Sequence, residues 1–157
     1  MVLSTAHTKA GPAWSAGARW LAESTPHPTD VYAAWARDGL ATLGVPPTWN
    51  VVEADLLESM DAIPALSRAG KLGPVLVHPE SRLAWWLLPP DAADHLDNLR
   101  RLIVWPRSKP LRCPAPGDYG HGRGWLESPD GTGRLTDPVA LGAAFGARIR
   151  LPAAAFV

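Results

Sequence analysis

Trp49-Asn50-Val51-Val52-Glu53-Ala54-Asp55 is the stretch on which the fold turns. Its aromatic start and paired valines favour extended backbone. In a strand, side chains two apart share a face, so Glu53 and Asp55 stand side by side. Two carboxylates so placed can ligate a divalent cation if neighbouring strands add further oxygens. The plainer assignment has Asp55 capping a helix that starts at Leu56, and Glu53 pairing with a nearby arginine. Gly44-Val45-Pro46-Pro47 leads into this strand, and a helical pattern from Leu56 to Ala69 leads out of it.

Working outward, Ala13 to Glu23 predicts a helix, which Ser24-Thr25-Pro26-His27-Pro28 breaks. A second helix opens at Thr29 or Asp30 and turns Val31, Ala34 and Trp35 inward. Pro64 divides the 56–69 segment into two short helices, the second entered through Asp61. Val75-Leu76-Val77 and Arg82 to Leu88 form a hairpin across Pro79-Glu80-Ser81. Asp91 caps the clearest helix of the chain, with Leu96, Leu99, Leu102 and Ile103 as its stripe and Arg100 and Arg101 at its end. Short strands follow at Ile103 to Trp105, Leu111 to Cys113 and Gly124 to Glu127, with a glycine-rich loop from Pro116 to Gly124. Ser128-Pro129-Asp130-Gly131 has turn chemistry, and Asp137-Pro138 starts a last helix through Ala147. The expected architecture is α+β, a mixed sheet of five to six short strands with flanking helices. It occupies residues 13–157 as one domain, after a flexible tail over residues 1–12.

The bulk properties agree with a globular chain. At 157 residues and 46% hydrophobic content it can bury a core without staples. Its 14 glycines and 17 prolines fall short of a disordered composition. Cys113 is the lone cysteine, so an intramolecular disulfide is excluded, and a buried filler is its expected role. Apolar runs such as Leu83 to Pro90 are too short to cross a bilayer. The first residues lack a basic region followed by an apolar core, so the expectation is a cytoplasmic protein with no membrane association. Net charge is zero, yet residues 51–99 carry three basic against eight acidic side chains and residues 100–157 carry nine against four. Such asymmetry can mark an anion-binding face.

Several motifs taken in order carry a resemblance. Trp49-Asn50-Val51-Val52-Glu53, Gly73-Pro74-Val75-Leu76 and Ala84-Trp85-Trp86-Leu87-Leu88-Pro89-Pro90 come first. Leu111-Arg112-Cys113-Pro114, Gly124-Trp125-Leu126, Pro129-Asp130-Gly131 and Leu135-Thr136-Asp137-Pro138 follow. From Ala13 to Ala147 the chain resembles short actinobacterial proteins related to the bifunctional DNA primase/polymerase N-terminal domain. The resemblance implies a primase-polymerase-like α+β core, with Glu53 and Asp55 at the place of an acid-x-acid motif. It also implies a small-residue turn leading to a histidine in the next hairpin, and a further aspartate in a later strand. Glu80-Ser81-Arg82-Leu83-Ala84-Trp85 has neither the glycines nor the histidine, and Val104-Trp105-Pro106-Arg107 has no aspartate. Both departures fall on the chemistry, not on the packing.

The expected function is therefore a non-catalytic binding or regulatory module that takes a protein partner or single-stranded nucleic acid. No cofactor and no catalytic or metal residue is expected. The enzymatic alternative is a reduced nucleotidyltransferase using Glu53 and Asp55 with magnesium or manganese. A further alternative is a self-associating interaction domain, a homodimer without other ligand. Arg100, Arg101, Arg107, Lys109, Arg112 and Arg123 fall within 24 positions opposed only by Asp118, with Trp105 and Trp125 interleaved. Arg107, Lys109, Arg112 and Arg123 with Trp105 and Trp125 are the candidate binding residues, since arginines hold phosphates and aromatic planes stack bases. Eight tryptophans is a large number, and adjacent Trp85 and Trp86 must face opposite sides of their strand.

Overall fold

Among the described residues, every strand pairing is antiparallel. A computed structural model describes residues 13–96 and 99–155. The expected N-terminal tail, residues 1–12, lies outside the described residues. Along the chain follow α1 (Ala16–Glu23), α2 (Pro28–Ala36), β1 (Ala41–Leu43), β2 (Asn50–Asp55), α3 (Leu56–Arg68) and β3 (Val75–His78). A 3-10 turn (Pro79–Ser81) leads to β4 (Leu83–Leu88), the single-turn α4 (Ala93–Leu96), β5 (Ile103–Val104) and β6 (Leu111–Cys113). β7 (Tyr119–Gly120), β8 (Arg123–Glu127) and α5 (Pro138–Ala155) complete it. The fold is α+β. Among the described residues, no helix is long and apolar enough to cross a membrane.

Six strands form one sheet in the order β5-β2-β4-β3-β8-β7, and β1 and β6 form a separate two-stranded ribbon. The hairpin strand β4 inserts between β2 and β3, which α3 connects. β2 and β3 thus run the same way without touching, and each neighbour of either is antiparallel to it. This insertion is why the sheet is antiparallel throughout, where a mixed one was expected.

Both faces of the sheet are covered. Val51, Leu76, Trp85 and Leu87 pack under α1, α2 and the β1–β6 ribbon, together with Trp35, Trp49 and Trp105. Val52, Ala54, Val75, Val77, Ala84, Trp86 and Leu88 pack under α3, α4 and α5, with Leu66, Leu141 and Phe145. Two-sided burial explains why β4 reads as an unbroken apolar run instead of an alternating one. Trp85 and Trp86 point to opposite sides, as the pleat demands, and both are buried.

Six indole N–H groups, including those of Trp35, Trp49, Trp86 and Trp125, find an acceptor. Buried tryptophans are held in this way and leave no orphaned donor. Gly17 lets α1 lie against the Pro129 carbonyl, where any side chain would collide with backbone.

Three helix expectations need correction. Residues 56–68 form one helix with Pro64 inside it, not two. Ser59, Ala62 and Leu66 keep a continuous buried stripe, while Pro64 sits on the exposed side, so packing overrides the lost hydrogen bond. α2 starts at Pro28 in the first helical position after His27, not at a Thr29 or Asp30 cap. The helix expected from Asp91 is only Ala93–Leu96. Around it Asp94, His95, Leu99 and Leu102 each donate to the carbonyl three residues back. That tighter spacing sends Leu96, Leu99 and Leu102 all into the core under α5. Strands β1 and β7 had no counterpart in the periodicity, being three and two residues long.

Candidate functional site

Glu53 and Asp55 share a face as their spacing predicts, yet both are engaged structurally. Asp55 Oδ2 accepts the Glu58 backbone N–H at 3.0 Å and so caps α3. Glu53 Oε1 accepts two indole donors, Trp85 Nε1 at 3.0 Å and Trp105 Nε1 at 3.2 Å. The register makes this contact. Trp85 stands directly across from Glu53 on β4, and the Trp105 backbone N–H donates to Val51 to place its indole alongside. The glutamate therefore pairs with tryptophans, not with an arginine.

Glu53 and Asp55 border a hollow of about 240 Å³ with Ser81, Arg82, Arg101 and Ile103. Arg101 is ion-paired to Glu58. Among the described residues, no three His, Cys, Asp or Glu side chains converge. A two-ion centre needs several oxygen ligands on ions about 4 Å apart. Glu53 and Asp55 each have one oxygen already committed, and the residues around them do not fit such a centre.

The basic candidates divide. Arg107 donates from Nη2 to the Pro46 carbonyl and is tied to the loop before β2. Lys109 places Nζ 4.1 Å from the centre of the Trp105 ring. Trp105 meets Trp85 edge-on at 6.0 Å, and the Arg123 guanidinium lies 4.6 Å over Trp85. Arg123 Nη1 also donates to the Arg112 carbonyl at 2.7 Å. Lys109 and Arg123 thus lie over a pair of touching indoles, each cation–π contact worth about 0.5–2 kcal/mol, and Arg112 extends this row through its backbone carbonyl, not over a ring. Trp105 is only 6% exposed, and Trp125 turns inward with Nε1 donating to Pro114 at 2.9 Å. Trp105 therefore offers no free face for stacking, and Trp125 is half-buried.

His78 and His121, turn histidines whose sequence setting allows a phosphate contact but favours a solvated side chain, lie beside this row, as does Tyr119, which sequence reasoning did not single out. β7 and β8 are linked by His121 and Gly122, both at positive φ (53° and 79°), as a type I′ hairpin turn requires. A side chain at Gly122 would come within 3.2 Å of His78 Nε2, so glycine lets the turn close on β3. His78 shares a hydrogen bond with Ser81 Oγ at 2.7 Å through Nδ1 and stacks on Trp85 at 6.2 Å. His121 Nε2 donates to the Asp38 carbonyl at 3.2 Å.

His78, His121, Arg112 and Arg123 line a hollow of about 350 Å³, floored by Gly39 and Leu40. Among the described residues, no carboxylate lies within ion-pair distance of these four. Burial, and then the nearby Arg112 charge, lower the Arg123 pKa below its ordinary value. An adjoining hollow of about 310 Å³ is lined by Trp35, Asp38, Pro114, Asp118 and Tyr119 and shares Gly39. Tyr119 is 66% exposed. The detectable signal was Gly120-His121-Gly122, a turn pattern between two short runs.

Cys113 lies in β6, fully buried. Burial raises its pKa well above the ordinary 9.0, with only a small opposing pull from Arg123. The folded thiol keeps its proton where the unfolded one ionises. Its share of stability is complete below pH 9.0 and is lost as pH rises beyond that value. Denaturation midpoints measured at about pH 8 and about pH 10 should fall further for the native chain than for Cys113→Ala. Equal falls would show that another group carries the alkaline loss.

No family model, curated protein or solved structure matches this chain.

Proposed function

We propose that this chain is a non-catalytic module that binds single-stranded nucleic acid, on a scaffold resembling the primase-polymerase domain. The observation that carries this is the row of Lys109 and Arg123, held over Trp105 and Trp85, with Arg112 beside Arg123, all neutralised by no carboxylate among the described residues. Cations anchored on rings lose little side-chain freedom when they meet a phosphate. Glu53 and Asp55 support the non-catalytic half, since one accepts two indoles and the other caps a helix. A protein partner would call for a broad exposed apolar centre beside the cations, whereas Trp85 and Trp105 are buried and, among the described residues, Tyr119 is the one large exposed hydrophobic side chain lining the two hollows there.

Fluorescence anisotropy of a labelled oligo-dT strand over a salt series tests the proposal. Three phosphate contacts give a log–log slope of roughly −2. Lys109→Ala with Arg112→Ala should flatten it to about −0.7 and weaken binding at low salt. Glu53→Gln with Asp55→Asn should leave binding intact. Salt-independent or absent binding would overturn the proposal. Manganese-dependent nucleotide incorporation lost in that acid pair variant would establish the nucleotidyltransferase in its place. A concentration-dependent dimer with no strand binding would leave self-association.

A further inference from the structure

We infer that the two adjoining hollows at the β7–β8 turn form a subsite for one nucleotide, with its base against Tyr119 and its phosphate among Arg112, Arg123, His78 and His121. This deepens the nucleic-acid interface proposed above and rests on it only for the identity of the natural ligand.

The ring comes first. Tyr119 pairs with Gly124 across the hairpin, and a Cβ at residue 124 would stand 2.5 Å from Tyr119 Cδ2. One side of the ring is therefore seated on bare backbone, while the residue as a whole is 66% exposed. A rigidly seated aromatic plane open to solvent is what base stacking uses, and it is tolerant of base identity. No other aromatic among the described residues is exposed to this degree.

Charge then sets the direction. The hollow beside Tyr119 contains Asp38 and Asp118, which repel a phosphate but can accept hydrogen bonds from base N–H groups, the N3–H of thymine included. The hollow beyond Gly39 contains two arginines and two histidines with no paired carboxylate among the described residues. Arg123 already spends Nη1 on the Arg112 carbonyl, which fixes its plane and leaves its other donors for a ligand. His78 is oriented by Ser81 and His121 by the Asp38 carbonyl, so each ring is set before a ligand arrives. Hollows of about 310 and 350 Å³ suit a base and a sugar-phosphate better than a larger group. The phosphate can belong to a strand end or to a free mononucleotide, since both present the same dianion.

Isothermal titration of the full chain with inorganic phosphate, thymidine 5′-monophosphate, and a short oligo-dT with and without a terminal phosphate tests this. Arg112→Ala, at an exposed strand position, should weaken phosphate and mononucleotide about equally, by roughly tenfold. Tyr119→Ala should weaken the mononucleotide by about tenfold and leave inorganic phosphate unchanged. A phosphorylated strand that binds more tightly than the mononucleotide identifies a strand end, and the reverse order identifies a free nucleotide. Either order supports the subsite. Phosphate affinity untouched by Arg112→Ala, or mononucleotide affinity untouched by Tyr119→Ala, would overturn it. Lys109→Ala separates the two proposals. If it leaves long-strand binding unaltered while these two responses hold, the extended interface fails and the subsite stands.

Discussion

Trp86→Ala is expected to lose about 3–5 kcal/mol of unfolding free energy, the range for removing a fully buried large aromatic. Trp86 sits in β4, paired to Val52 on one side and Val75 on the other, in the middle of the sheet. It is completely buried, meets Phe145 edge-on at 6.4 Å, and donates from Nε1 to Ser59 Oγ at 3.0 Å. One side chain thus joins the sheet to α3 and α5. The loss is a large share of the roughly 5–15 kcal/mol that a domain has in total. Trp86→Phe separates packing from polarity. It keeps a ring but leaves the buried Ser59 hydroxyl without its donor, at a further cost of about 1–3 kcal/mol. Adding Ser59→Ala should then recover part of that cost. Urea denaturation of the parent, Trp86→Phe, Ser59→Ala and the double variant measures the coupling. A Trp86→Ala loss below about 1 kcal/mol would mean that α3 and α5 do not clamp this face.

Glu53→Ala should cost about 2–3 kcal/mol, while Glu53→Gln costs less than about 1 kcal/mol. The alanine leaves two indole N–H groups, on side chains 4% and 6% exposed, without their shared acceptor. Glutamine retains an acceptor oxygen at the same reach. Half-burial of Glu53 admits some water, which keeps the figure below the full strength of two charge-assisted bonds. Thermal or urea melts read the difference directly. Equal stability of the alanine variant and the parent would show that the indole pair needs no acceptor. Because Trp85 also carries Arg123 and His78, Glu53→Ala should in addition loosen the cationic row, and strand binding should weaken with it.

Much of the secondary structure was legible. The β2 run, the β3–β4 hairpin, the Asp55 cap and the Asp137-Pro138 helix start each rest on residues within a few positions of one another. The errors came where tertiary contact overruled local preference. Pro64 stays inside α3 because the buried stripe on its far side is continuous. The helix expected from Asp91 shrinks to Ala93–Leu96 because Leu96, Leu99 and Leu102 reach the core at three-residue spacing.

The site divides along the same line. The acid pair, the cluster of cations and the count of tryptophans could be seen in the order of residues alone, since composition and periodicity are local properties. That Glu53 meets two indoles, that Arg123 sits over the ring of Trp85 from a different part of the chain, and that His78 joins His121 depended on the folded chain. Those contacts are set by strand register and by the insertion of β4 between β2 and β3. A shift of one residue in that register would turn every side chain of β4 to the other face. Nothing in the local pattern encodes such pairing; the packing of both sheet faces selects it.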